Sequence, residues 1–98
     1  MDTNEIIREW IFDLLTINQE IEENGGSGNW ENKELLLSYS DLRYKIMDYI
    51  GLDDTREHTK LFYADAPATD EEIDKIMGRL STATTKQFLR QMNYDYLE

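Results

Sequence analysis

The chain has 98 residues, 40% of them hydrophobic, no cysteine, and a formal net charge of −11. This length predicts one domain, residues 1–98, with a core of its own, and the lack of cysteine excludes disulfides and thiolate chemistry. The charge argues against direct binding of nucleic acid or anionic lipid and favours a basic protein surface as the partner.

The first predicted helix is the element around which the rest of the chain is expected to pack. Its apolar residues recur at steps of three and four: Ile7, Trp10, Leu14, Ile17 and Ile21. This spacing places apolar side chains on one helix face, so the helix is predicted to be amphipathic with Trp10 in the core. A glycine-rich segment, 24–28, follows and predicts a flexible loop. The same composition is typical of engineered linkers; a natural loop is the favoured interpretation.

The second predicted helix ends before Gly51, because glycine readily adopts the left-handed conformation that stops a helix. Asp54 and Glu57 then have the spacing of a capping pair for a third helix. Asp54 also lies four residues before the only histidine, His58, which can bring two metal ligands to one helix face. Two ligands make an incomplete site, so we predict no metal and no cofactor, and we interpret His58 as solvated.

Two further helices are predicted in the last third of the chain. Thr69 and Glu72 have the spacing of a capping box, which predicts a helix start at residue 70. The polar run 81–84 predicts a break, and the apolar side of the helix that follows it is expected to comprise Thr85, Phe88, Leu89 and Met92. Two short helices around a polar turn also fit a helix-turn-helix regulatory domain, although the net charge opposes contact with phosphates.

The predicted fold class is all-α, a compact bundle of four to five helices, because no segment alternates between apolar and polar residues as strands do. The helices are predicted near 4–23, 31–50, 55–64, 70–80 and 84–93. The sequence contains none of the usual catalytic or nucleotide-binding motifs, so the chain is predicted not to be an enzyme. It also shows neither the pattern of a signal peptide nor an apolar run long enough to span a membrane. We therefore expect no signal peptide and no membrane span, and a cytoplasmic location is predicted.

The acids of the first helix are the main candidates for partner binding: Glu5, Glu9, Asp13, Glu20, Glu22 and Glu23. The first three repeat at four-residue steps, where like charges repel, and only Arg8 is placed to relieve them. The last three crowd the final turn, where the helix dipole disfavours negative charge. One interpretation is a solvated face that keeps the protein soluble. The other is a negative surface for a basic partner, in which carboxylates replace phosphates as ligands of Lys and Arg.

Exposed aromatic residues are the second group of candidate contacts. Trp30 follows the glycine-rich segment, and Tyr94 and Tyr96 lie in the last few residues. Tyrosine and tryptophan beside acidic residues often anchor protein interfaces. The alternative is that these side chains cover the ends of the bundle with their polar atoms in water.

The favoured function is that of a small acidic inhibitor or antagonist that occupies a basic surface of a protein partner, such as a nucleic-acid-handling enzyme. In size and charge the chain resembles the small acidic inhibitors that phages and mobile elements make against host nucleases. Such proteins act as nucleic-acid mimics. The alternatives are an immunity protein against a toxin or bacteriocin and the helix-turn-helix domain described above. The sequence leaves the oligomeric state open.

Overall fold

The computed structural model describes residues 2–63 and 67–97, with side chains described as far as Met92. Its α-helices are α1 (Thr3–Glu23), α2 (Lys33–Ile50), α3 (Arg56–Thr59) and α4 (Asp70–Leu97). Two single 3₁₀ turns, Trp30–Asn32 and Lys60–Phe62, precede α2 and follow α3. The described residues contain no strand, which confirms the all-α class, and the four α-helices fall within the predicted number.

Helix α1 occupies the centre of the fold, because it packs against both other long helices, α2 and α4. A single core cluster includes Ile11 and Leu14 of α1, Ile46 of α2 and Ile76 of α4, all essentially inaccessible to water. Trp10, predicted to lie in the core, is only partly buried and packs at the edge of this cluster. The core therefore fixes the side of α1 that faces solvent.

The glycine-rich segment after α1 is tied back to the end of that helix by the side chain of Asn32. Asn32 is only 2% exposed. Its amide donates to the carbonyl oxygens of Ile21, Asn24 and Gly26 at 3.3, 3.3 and 2.8 Å. Gly26 itself has a φ of 85°, in the region that favours glycine. The flexibility of this loop stays a prediction, whereas its attachment to α1 is a feature of the fold.

The predicted stop of the second helix is confirmed. Gly51 follows α2 in the left-handed conformation, with φ of 75° and ψ of 26°. The amide of Leu52 donates to the carbonyl oxygen of Met47 at 2.9 Å, which satisfies a carbonyl of the last turn. Leu52 is buried, so the turn also directs the chain back onto the core.

Replacing Gly51 and Gly78 by alanine is expected to change stability in opposite directions. No heavy atom lies near a Cβ added at either position, so steric contact plays no part. Gly51→Ala places a side chain in the left-handed region and should cost about 1 kcal/mol. Gly78→Ala, in the exposed interior of α4, should stabilise by roughly 0.5–1 kcal/mol. Urea unfolding would test both, and changes of the same sign would contradict this explanation.

The third helix begins differently from the prediction. Thr55, rather than Asp54, provides the cap, because its hydroxyl accepts the amide hydrogen of His58 at 3.1 Å. His58 is buried, not solvated, and its Nδ1 lies 2.7 Å from the carbonyl oxygen of Asp53. The helical segment ends in the 3₁₀ turn at Phe62, and the predicted end at residue 64 lies outside the described residues.

The predicted break at 81–84 is wrong, because α4 runs through it without interruption. The hydroxyls of Thr82 and Thr84 donate to the carbonyl oxygens of Gly78 and Leu80, each at 3.0 Å, so both polar side chains are satisfied inside a helix. The helix-turn-helix interpretation is therefore wrong for this segment. The start is as predicted, since the Thr69 hydroxyl accepts the amide hydrogen of Glu72 at 3.3 Å.

The second half of α4 also presents its apolar residues differently from the prediction. The expectation of an inward-facing side is wrong, because Thr85 is exposed and Phe88, Leu89 and Met92 are each at least half exposed. Gln87 instead makes the contact with the rest of the fold. Its side chain donates to the Gly51 carbonyl oxygen at 2.8 Å and accepts from the Asp53 amide at 2.9 Å.

Candidate protein-binding surface

One side of α1 carries most of the acids singled out from the sequence. We call this the acidic face, and it comprises Glu5, Glu9, Asp13, Glu20 and Glu23, all exposed. At 3.6 residues per turn these positions lie within about 80° of the helix circumference. The helix buries its opposite side, so the core forces these carboxylates into solvent together.

Glu22 does not belong to the acidic face. By helical geometry it points about 100° away from the nearest of the five acids. It lines a groove of about 520 Å³ on another side of the molecule, together with Tyr39, Arg43 and Tyr63. The six carboxylates predicted as one group therefore divide between two surfaces.

Arg8 does not relieve the acidic face, contrary to the sequence-based interpretation. Its guanidinium forms a hydrogen-bonded ion pair with Asp74 of α4, and a second oxygen, from Asp70, lies 3.6 Å from Nη2. The hydrogen bond with Asp74 raises the pKa of Arg8. Within the part of the chain that the structure describes, no acid of the acidic face forms an ion pair. The carboxylates of this surface thus have no direct ion-pair partner among the described residues.

Two residues that the sequence analysis missed extend this surface. Phe12 lies beside Asp13 in the sequence and is 46% exposed. Asp41 of α2 lines the same groove as Asp13, of about 520 Å³, with Lys45 also in its wall. The helical position of Phe12 among the acids could have identified it from the sequence. Asp41 required knowledge of how α2 packs on α1.

The aromatic candidates have different outcomes. Trp30 is 80% exposed, and Asn32, two residues later, holds its 3₁₀ turn against the end of α1. The tryptophan is therefore near the C-terminal end of α1. Tyr94 and Tyr96 lie within α4, but their side chains are outside the described part of the structure.

Other titratable groups near these surfaces are used within the fold. The Tyr39 hydroxyl donates to the Phe62 carbonyl oxygen at 3.1 Å. Burial of Tyr39, with a smaller effect of Tyr63, raises the pKa of Tyr39 to about 12, so its hydroxyl stays protonated at neutral pH. His58, considered above as a metal ligand with Asp54, has its Nδ1 against a backbone carbonyl. Among the described side chains, no group of three or more histidine or acidic residues is placed to hold a metal ion.

Comparison of the sequence with known protein families, with curated proteins and with solved structures found no match. Of the helices described, none has the length and apolar character needed to cross a membrane.

Proposed function

We propose that this chain is a non-enzymatic binding protein whose acidic face occupies a basic surface of a protein partner, as an inhibitor or antagonist. The observation that carries the proposal is the row of exposed carboxylates on one side of α1 without a cation partner among the described residues. Like charges at four-residue spacing repel, and acids at a helix C-terminus oppose the dipole. A basic partner would relieve both penalties on binding.

A nucleic-acid-handling enzyme is the class of partner that this surface fits best. Such enzymes present rows of Lys and Arg that bind successive phosphates. Successive acids at four-residue steps along α1 are about 6 Å apart along the helix axis, so they offer a comparable row of negative charges. Phe12 is exposed beside this row, and Trp30 is exposed near the C-terminal end of α1; both are of the aromatic kind that commonly anchors interfaces. Occupation of the enzyme's basic surface would exclude its nucleic acid.

Reversing three charges of the acidic face is expected to slow association with such a partner. The partner would first be captured from the source cell's extract, eluted with increasing salt and identified by mass spectrometry. The purified partner would then be titrated with the wild type and with the triple variant Glu9→Lys, Asp13→Lys, Glu20→Lys. Because steering by charge accelerates encounter by 10-fold or more, the association rate constant should fall by at least about tenfold and lose its salt dependence.

A control variant with the same change in net charge separates the acidic face from a general charge effect. Asp53, Asp54 and Glu71 are exposed acids outside both α1 and α2, and all three would be changed to lysine. Unchanged binding by the Glu9, Asp13 and Glu20 variant, or an equal loss in the control, would refute the proposal. Capture of a toxin in place of a nucleic-acid-handling enzyme would favour the immunity class. A competition assay with DNA would separate the two classes further, since DNA should displace this protein only from a partner that binds DNA.

A further inference from the structure

Between Lys75 and Arg90, α4 carries only positive charge, on a strongly acidic protein. Between Asp74 and Asp95 the sequence holds four basic residues and no acid. Lys75 is paired with Glu72 at 3.1 Å. We call the other three, Arg79, Lys86 and Arg90, the basic triplet; all three are exposed and, among the described residues, have no ion-pair partner.

The basic triplet borders an open groove between α3 and α4, with a volume of about 450 Å³. Leu61 and Ala83 contribute apolar surface to it, His58 and Gln87 contribute polar groups, and Glu57 of α3 contributes one carboxylate, which the three cations outnumber. The spacing of the triplet, seven and then four residues, keeps the three cations within about 40° on one side of α4. A ligand of matching shape would therefore be a straight, negatively charged rod.

The acidic face of α1 contains a triplet with the same spacing in reverse order. Glu9, Asp13 and Glu20, here called the acidic triplet, are separated by four and then seven residues. When the two helices lie antiparallel, the charges on one match those on the other along the axis. On each helix the successive charges are about 6 Å and about 10 Å apart. Glu9 would then face Arg90, Asp13 would face Lys86, and Glu20 would face Arg79.

These two triplets are not paired within one molecule. The side of α1 that meets α4 is marked by Arg8, which is paired with Asp70 and Asp74. The acidic triplet points about 120° away from Arg8 around the helix. All six side chains of the two triplets are exposed, so they are free to meet only between molecules.

We propose that the groove between α3 and α4 binds the acidic face of α1 from a second copy of this chain, in antiparallel orientation. Phe12 would lie level with Gln87 in this register and add apolar contact at the groove. Because the two surfaces differ, the contact is heterologous, and assembly proceeds to a closed ring or a longer chain. In assembled copies the acidic face is covered, so self-association would compete with any other partner of that face. The inference does not depend on the proposed function.

The net charge of −11 opposes self-association, whereas the attraction between the facing triplets favours it. Screening by salt decides which of these two effects dominates. At about 0.1 M salt the Debye length is near 10 Å, so distant charges are largely screened whereas facing pairs still attract. At about 1 M it falls to near 3 Å, and the facing pairs are screened as well. Exposed ion pairs are individually weak, so we expect weak association with a strong salt dependence.

Sedimentation equilibrium of the full chain, over concentrations up to about 1 mM, would test the proposal. At about 0.1 M salt the weight-average mass should rise with concentration, and the association constant should fall at least tenfold at about 1 M salt. Reversing the acidic triplet to lysine, or the basic triplet to glutamate, should each remove the association. Circular dichroism would verify that both variants remain helical, as expected for exposed positions.

The decisive measurement is an equimolar mixture of the two reversed variants. Each variant alone carries two surfaces of the same sign, whereas in the mixture every contact again joins opposite signs. Recovery of the wild-type mass distribution would support the pairing. A wild-type chain that stays monomeric, an association that survives either reversal, or a mixture that fails to recover would each overturn it. Reversal of the basic triplet should leave binding to a basic partner intact, which distinguishes this inference from the proposed function.

Discussion

Replacement of Phe62 by alanine is expected to lower the free energy of unfolding by about 3–5 kcal/mol, the largest effect that we predict for a single substitution. Phe62 is 1% exposed and belongs to the largest fully buried side chains. It lies in the 3₁₀ turn Lys60–Phe62, and this turn packs against α4. Removal of the ring leaves a cavity that the surrounding helices can fill only in part.

This loss would be large relative to the total stability of a domain of this size, commonly 5–15 kcal/mol. The neighbouring substitution Tyr63→Ala provides a matched control, because Tyr63 is exposed and should change stability by no more than about 0.5 kcal/mol. Urea unfolding followed by circular dichroism measures both. A loss below about 1 kcal/mol for Phe62→Ala would show that this turn is not part of the cooperative core.

The helices were predictable from the sequence wherever a single apolar stripe runs the length of the element. In α1 the stripe has one phase, and the structure buries Ile7, Leu14 and Ile21 as that phase requires. The stop at Gly51 was predictable for a local reason, since the left-handed conformation favours glycine. Both features could be predicted because they depend on residues close together in the sequence and little on distant contacts.

The continuity of α4 was not predictable in the same way, because its apolar stripe changes phase. Ile76 and Leu80 face the core, whereas Phe88 and Met92 lie about 120° further around the helix and face solvent. A change of phase across a run of serine and threonine is also what two separate helices would show. In the structure the hydroxyls of Thr82 and Thr84 donate to carbonyls of the preceding turn, so a continuous helix leaves neither hydroxyl without a partner. The sequence pattern alone does not distinguish this arrangement from a break.

Only the part of the candidate surface that lies on a single helix could be predicted from the sequence. The positions of Glu9, Asp13 and Glu20 on one side of α1 follow from their spacing. The pairing of Arg8 with Asp74 joins residues far apart in the sequence, and no local rule anticipates it. That pairing matters because it removes the one cation expected to neutralise the acidic face.

The second large effect is expected at Asn32, where alanine should cost about 2 kcal/mol. Its buried amide donates to three backbone carbonyl oxygens around the end of α1, those of Ile21, Asn24 and Gly26. Each of these oxygens also accepts a hydrogen bond from another group, so none loses its only partner. The amide also has only two hydrogens to share among the three oxygens. The loss is therefore smaller than the sum of three hydrogen bonds, and it combines weakened bonding with a small cavity.

Asn32→Asp separates hydrogen bonding from packing, because it keeps the volume of the side chain but replaces the amide donor by a carboxylate oxygen. At neutral pH that oxygen would face backbone carbonyls in a buried site, so Asn32→Asp should be at least as destabilising as Asn32→Ala. Asn4→Ala, at an exposed position, should change stability by less than about 0.5 kcal/mol. Thermal unfolding of the three variants would measure these differences. If Asn32→Asp matched the wild type, the carbonyl contacts would contribute nothing, and the attachment of the Trp30 turn to α1 would need another cause.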